Sequence, residues 1–131
     1  RFRVIAEPRA DFDLWLKNQD ALAFEPTDPL ALEGKDLFVG DGQCFACHTV
    51  EGVRVARGTK GPTLTHVASR RHIAAGLLEN NQQNLRLWLQ DPEVVKPGNI
   101  MSKEALIYTD FDKGLSEPQI SALVAYLQTL K

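Results

Sequence analysis

Apolar residues recur at helical spacing in several separate stretches of this chain, and the last stretch is the clearest. Ile120, Leu123, Val124 and Leu127 make one stripe with Tyr126 and Leu130 at its flanks, which predicts an amphipathic helix. Ser116 stands where a cap is needed, Glu117 and Pro118 suit a first turn, and Gln119 completes a capping box. Leu85, Trp88 and Leu89 share a face over 81–90, and Pro92 stops that segment. Another helix is expected to start near Pro29 or Leu30 behind Asp28 and to end at Gly40-Asp41-Gly42. Phe12, Trp15 and Leu16 mark a shorter one over 10–19, and 71–78 reads as a further short helix.

Period-two alternation appears at the start, where Phe2 and Val4 alternate with Arg1 and Arg3, so 1–6 reads as a strand ending before Pro8. Such an opening resembles the middle of a larger unit, and the chain is expected to be part of a longer protein. Two prolines and several acids make 18–29 a linker, and glycines and cations make 52–63 a loop. The stretch 97–112 reads mostly as irregular chain. No strand pair is expected after residue 20. The chain therefore divides into 1–28, a tail of a preceding unit plus linker, and 29–131, an all-α domain long enough to bury a core.

Charge narrows the function classes. A formal net charge of −2 gives no nucleic-acid signature. No apolar run approaches the roughly 20 residues that a membrane span needs. The charge is uneven, however: from Arg54 to His72 there are five basic residues and no acidic ones. A solvated basic loop explains this, and so does a face turned to an anionic group or an acidic partner.

The chemistry concentrates in Cys44-Phe45-Ala46-Cys47-His48, the C-x-x-C-H signature of covalent haem attachment. One turn brings the two thiols to where each can form a thioether with one vinyl group of a single haem c. His48 then offers its imidazole to the iron from the proximal side. A disulfide across so short a loop would stabilise little. A zinc site would need Cys44, Cys47 and His48 with His66 or His72, but no second C-x-x-C or H-x-x-H is present. A thioredoxin-like redox pair would need a βαβ setting, which this pattern lacks.

A second axial ligand must come from elsewhere. Met101 is the chain's one methionine, and it follows Pro97-Gly98-Asn99-Ile100 in a polar stretch where core filling explains little. It is the expected distal ligand, with His66 and His72 as competitors. A His/Met pair leaves no open coordination position and favours the ferrous state, which suits electron transfer rather than catalysis.

These residues resemble a class I cytochrome c over 30–131. Gly34 and Phe38 match the small residue and aromatic of that family's N-terminal helix, and Leu123, Tyr126 and Leu127 match the helix that crosses it. The resemblance implies a class I cytochrome c fold around one covalently bound haem c, with a short N-terminal extension here. It further implies that the Pro62 carbonyl, within Gly61-Pro62-Thr63-Leu64, accepts the Nδ1–H of His48. Trp88 would lie near a haem propionate, and Met101 would occupy the family's distal loop. Asn99 stands where many relatives have Thr, and no proline follows Met101, so the loop's shape departs from the pattern.

The first residues, Arg1-Phe2-Arg3-Val4-Ile5-Ala6 followed by Phe12-Asp13-Leu14-Trp15-Leu16, resemble the end of the copper-binding domain of cytochrome c oxidase subunit II. A cytochrome c fused behind that domain is the hallmark of caa-type haem-copper oxidases. The resemblance implies a domain with no active site of its own, accepting electrons from a soluble donor protein. They would pass to a dinuclear copper centre in the preceding domain and on to the oxidase core. An apolar patch of Phe45, Ala46 and Ile100 with a charged rim would dock the donor. Covalent haem attachment in this family implies the periplasm or the outer face of the cytoplasmic membrane, anchored through the parent subunit. A free-standing cytochrome c carrier differs only in context, whereas a peroxidase or gas sensor would need a displaceable distal ligand.

Overall fold

The computed structural model describes residues 4–131. Its helices are α1 (Arg9–Gln19), α2 (Pro29–Val39), α3 (Gln82–Gln90), α4 (Pro92–Val95), α5 (Ile100–Glu104), α6 (Leu106–Thr109) and α7 (Glu117–Thr129). Half of the strand expected at 1–6 lies outside the described residues, and residues 4–6 are exposed without regular structure.

Local signals explain the two helices that organise the fold. Asp28 caps α2 by accepting from the Ala31 N–H at 3.1 Å, with Pro29 in the first turn. In α7 the Gln119 side chain accepts from the backbone N–H of Ser116 at 2.9 Å. The two helices cross at Gly34. A Cβ there would run into the Ala122 carbonyl and lie 2.8 Å from the Tyr126 Cβ, so only glycine permits this approach. Phe38 then packs edge-on against Tyr126, ring centroids 5.4 Å apart.

Tyr126 and Leu130, placed at the flanks of the stripe by periodicity, are in fact fully buried, as is Ala122. The crossing with α2 widens the buried face beyond one stripe. The Tyr126 hydroxyl is buried there without a hydrogen-bond partner among the described residues. α3 lies across the same helix, with Leu85 and Leu89 in the core. Arg86 bonds Glu117 at 2.6 Å and Ser121 at 2.7 Å, which fixes the register of α3 on α7. The long connection from α2 to α3 contributes Val50, Ala56, Val67 and Ile73 to the core, and the Ala68 N–H reaches the Leu130 carbonyl at 2.8 Å.

Expectations fail at two places. At 71–78 neither the short helix nor the absence of a strand pair after residue 20 holds: β1 (His72–Ile73) pairs antiparallel with β2 (Leu78–Glu79), His72 opposite Glu79, in a hairpin. Between them Ala74, Ala75 and Gly76 take positive φ values, which reverse the chain in a tight turn and exclude a right-handed α-helix. Asn80 secures the hairpin by donating to the carbonyls of Val67 and Arg70. The second correction concerns 97–112, which holds α5, α6 and a single 3₁₀ turn at Phe111–Lys113 instead of irregular chain. Asn99 starts α5 by accepting from the Ser102 N–H at 2.9 Å. An Asn cap on a five-residue helix leaves too little periodicity to read in advance.

The body remains mostly helical, as the apolar pattern requires. α1 forms as expected, but none of its residues is buried. Phe12 and Trp15 stack only on each other, centroids 5.7 Å apart. The following linker rejoins the body: the Ala23 N–H bonds the Glu51 carbonyl at 2.9 Å, Pro26 is buried, and Glu25 pairs with Lys35.

Candidate functional site

After α2 the chain reverses and Cys44–Ala46 form one 3₁₀ turn. The His48 N–H closes it on the Cys44 carbonyl at 3.0 Å. Residues 58–62 then lie along this turn. The Gly58 N–H donates to the Phe45 carbonyl at 3.2 Å and the Gly61 N–H to the Cys47 carbonyl at 2.8 Å. Both cysteines are free and partly buried. Burial pushes the Cys44 thiol up to about 12, so it stays protonated at neutral pH.

Within this unit His48 Nδ1 lies 2.8 Å from the Pro62 carbonyl oxygen. A carbonyl can only accept, so Nδ1 carries the proton and Nε2 keeps its lone pair for a metal. Gly61 makes the approach feasible: a Cβ there would stand 2.6 Å from Nδ1 and 3.0 Å from Nε2. Burial lowers the pKa of the imidazole, against the opposing pull of the Pro62 bond, which favours the neutral ring a metal needs.

Met101 is the second residue of α5 and is partly buried. Trp88 is partly buried on α3 between Leu85 and Leu89. Both pack against the same hydrophobic cluster as Cys44, Phe45 and Leu64. Tyr108 of α6 steadies this side by donating to the Leu89 carbonyl at 2.8 Å. The structure thus brings Cys44, Cys47, His48 and Pro62 into one bonded unit, and sets Met101 and Trp88 on the edge of the core that this unit also borders.

The competing histidines lie outside this bonded unit. His66 is buried ahead of the Val67–Ser69 turn, its Nε2 without a partner among the described residues, and His72 belongs to the hairpin. Among the described residues no group of three or more His, Cys, Asp or Glu side chains is arranged to hold a metal ion, so the zinc set does not assemble. A surface groove of about 670 Å³ bordered by Gln90, Asp91, Tyr108 and Phe111 includes none of the four motif and ligand candidates. Size does not locate the chemistry here.

The donor set fits a covalently attached haem. Two free thiols share one turn, a neutral imidazole is aimed by its Nδ1 bond, and a thioether stands at the margin of the same apolar core. Two features escaped the sequence reading. Glu93 accepts three hydrogen bonds from the segment around Met101, and Asn99, a departure from the resembled pattern, is the cap that shapes it. A capping scan with Asn99 before Ser102 would have found the second, but no local signal marks the first.

The sequence matches the cytochrome c family over residues 31–131. Proteins named cytochrome c oxidase subunit 2 are similar along 99% of this chain. They come from Alkalihalophilus pseudofirmus, at 38% identity over 130 residues, from Bacillus sp. strain PS3, at 42% over 133, and from Bacillus subtilis, at 32% over 132. The chain spans 34–35% of the length of these relatives. Their similarity takes in α1 and the linker, which the family match leaves out. Among the described residues no helix is long and apolar enough to cross a membrane. With the C-x-x-C-H turn and nearly all of the body from α2 to α7 inside the family match, this chain belongs to the cytochrome c family.

Proposed function

We propose that this chain is the electron-transfer segment of a cytochrome c oxidase subunit 2, holding one haem c through Cys44 and Cys47 with His48 and Met101 as axial ligands. The observation that carries the reading is the His48–Pro62 bond at 2.8 Å over Gly61, in the same turn as both thiols. When bound, haem c supplies a one-electron ferric–ferrous couple. The chain's own residues do the rest. Pro62 keeps the imidazole in one tautomer and strengthens it as a ligand. The half-buried side chains of Leu64, Trp88 and Met101 offer the group an apolar setting, which raises its potential.

The domain reading follows from the same proposal: 1–28 as the tail of a copper-binding domain plus linker, and 29–131 as the haem domain. Support comes from α1, whose Phe12, Trp15 and Leu16 suit a protein surface in a longer chain. Electrons would enter from a soluble redox protein and leave for a dinuclear copper centre in that preceding domain, in a caa-type complex. The module would face the outer side of the cytoplasmic membrane, anchored through its parent subunit.

The haem-loaded protein is expected to show a low-spin spectrum with a Met-to-iron charge-transfer band when oxidised. Carbon monoxide should leave the reduced spectrum unchanged. Ready carbon monoxide binding would overturn this function in favour of an enzyme or gas sensor with a displaceable ligand.

Donor docking would use the exposed side chains beside the attachment turn and the distal helix. Ala46 and Ile100 are exposed, whereas Phe45 is half-buried against the core. Ile100 is therefore the sharper probe. Ile100→Glu should slow reduction by a reduced soluble cytochrome about tenfold, an effect of roughly 1.4 kcal/mol, while reduction by ascorbate stays as it was. Equal rates for wild type and variant with the protein donor would remove Ile100 from the docking face.

A further inference from the structure

The turn that carries Met101 is tied to the body of the fold by one carboxylate. Glu93 stands in the first turn of α4, behind Asp91, whose side chain accepts from the Glu93 N–H at 2.9 Å and the Val94 N–H at 3.4 Å. Pro92 is buried, and α3 ahead of it is fixed in the core by Leu85 and Leu89. Glu93 is thus attached to a part of the molecule that does not move easily.

Its two oxygens reach across to the next turn. Oε1 accepts from the Gly98 N–H at 2.7 Å, and Oε2 accepts from the Ser102 hydroxyl at 2.6 Å and the Asn99 amide at 3.5 Å. These donors stand on both sides of Met101. Gly98 has φ of +79°, a left-handed conformation that other residues adopt only with strain. Asn99 is buried and caps α5, with its amide also donating to the Lys96 carbonyl at 2.9 Å. The Asn99 carbonyl, 3.0 Å from the same Ser102 hydroxyl, shares its one proton with Glu93. Bonds to an ionised acceptor are the strong kind, and here they join the 98–102 turn to α4, whereas its other bonds run within residues 96–105.

We propose that Glu93 is a positioning residue for the distal ligand: its carboxylate holds the 98–102 turn closed and so sets how often the Met101 thioether leaves the iron. This deepens the function proposed above and rests on Met101 being that ligand. A competing ligand binds only the open form, so its apparent affinity is its intrinsic affinity scaled by the open fraction. Loss of the carboxylate raises that fraction without touching any iron ligand.

The test is a titration of the oxidised, haem-loaded full chain with imidazole, read from the Met-to-iron charge-transfer band. Glu93→Ala should bind imidazole about tenfold more tightly than wild type. Glu93→Gln keeps an acceptor oxygen and should fall between the two. Glu104→Ala serves as the control, since it breaks the exposed Lys60–Glu104 pair at 2.8 Å on the far end of α5 and leaves every Glu93 contact in place. It should match wild type within about a factor of two. A Glu93→Ala protein with wild-type imidazole affinity, even one of lower melting temperature, overturns the proposal. So does an equal gain in Glu93→Ala and Glu104→Ala, which would mean general loosening of α5. Absence of the band from wild type would instead sink the Met101 assignment and this inference with it.

Discussion

Met101→Ala is expected to open the distal position of the haem-loaded protein to carbon monoxide and to abolish the Met-to-iron charge-transfer band. A thioether ligand favours the ferrous state, so its loss lowers the reduction potential. The drop should be on the order of 100 mV, within the roughly 0.8 V that axial ligands span across haem proteins. The fold should survive. Met101 is only partly buried at the edge of the core, and α5 is also held by the Asn99 cap and by Glu93. Far-ultraviolet circular dichroism should therefore match wild type. An unchanged potential together with continued exclusion of carbon monoxide would show that another side chain occupies the sixth position. His66 would then be the first to examine, because its buried Nε2 has no partner among the described residues.

The second large effect is expected at the crossing of α2 and α7, where Gly34→Ala sets two forces against each other. Alanine is better than glycine inside a helix by about 1 kcal/mol. Against this, the added Cβ would meet the Ala122 carbonyl carbon at 2.5 Å and the Tyr126 Cβ at 2.8 Å. Those atoms belong to a helix backbone and the root of a buried side chain, so neither can swing aside. Overpacking of this kind costs about 3 kcal/mol at the upper end of its usual range. The clash wins, leaving a net loss of about 2 kcal/mol and a melting temperature lower by roughly 10 °C for a domain of this size. Thermal unfolding of the haem-loaded protein, followed by circular dichroism, checks the sign. A raised melting temperature would mean that helix propensity decides, and that the two helices cross less closely than described.

Much of the fold was legible because its main helices announce themselves locally. Asp28 and Pro29 mark one start, Ser116 and Gln119 the other, and a regular apolar stripe follows the second. The attachment turn is equally plain, since cysteines are scarce and both fall in one pentapeptide with His48. What escaped is what depends on partners distant in sequence. Ala122 reads as an ordinary helix residue until Gly34 is laid against it. Tyr126 reads as a flank until Phe38 covers it. The hairpin over 72–79 rests on left-handed backbone at two alanines, a conformation no propensity scale would assign to them. Glu93 looks like any surface acid, and only the fold shows that its oxygens meet the donors beside Met101.

The pairing of α2 with α7 also bears on the order of events in biosynthesis. The contact that completes the core joins two segments far apart in sequence, so it cannot form until α7 has been synthesised. The Cys44–His48 pentapeptide emerges long before that. Until α7 arrives, α2 lacks the surface that buries Phe38, and closing the loop between them carries an entropic cost. If haem c is attached to Cys44 and Cys47 as proposed, attachment before α7 is in place would meet a more open polypeptide than the folded domain offers.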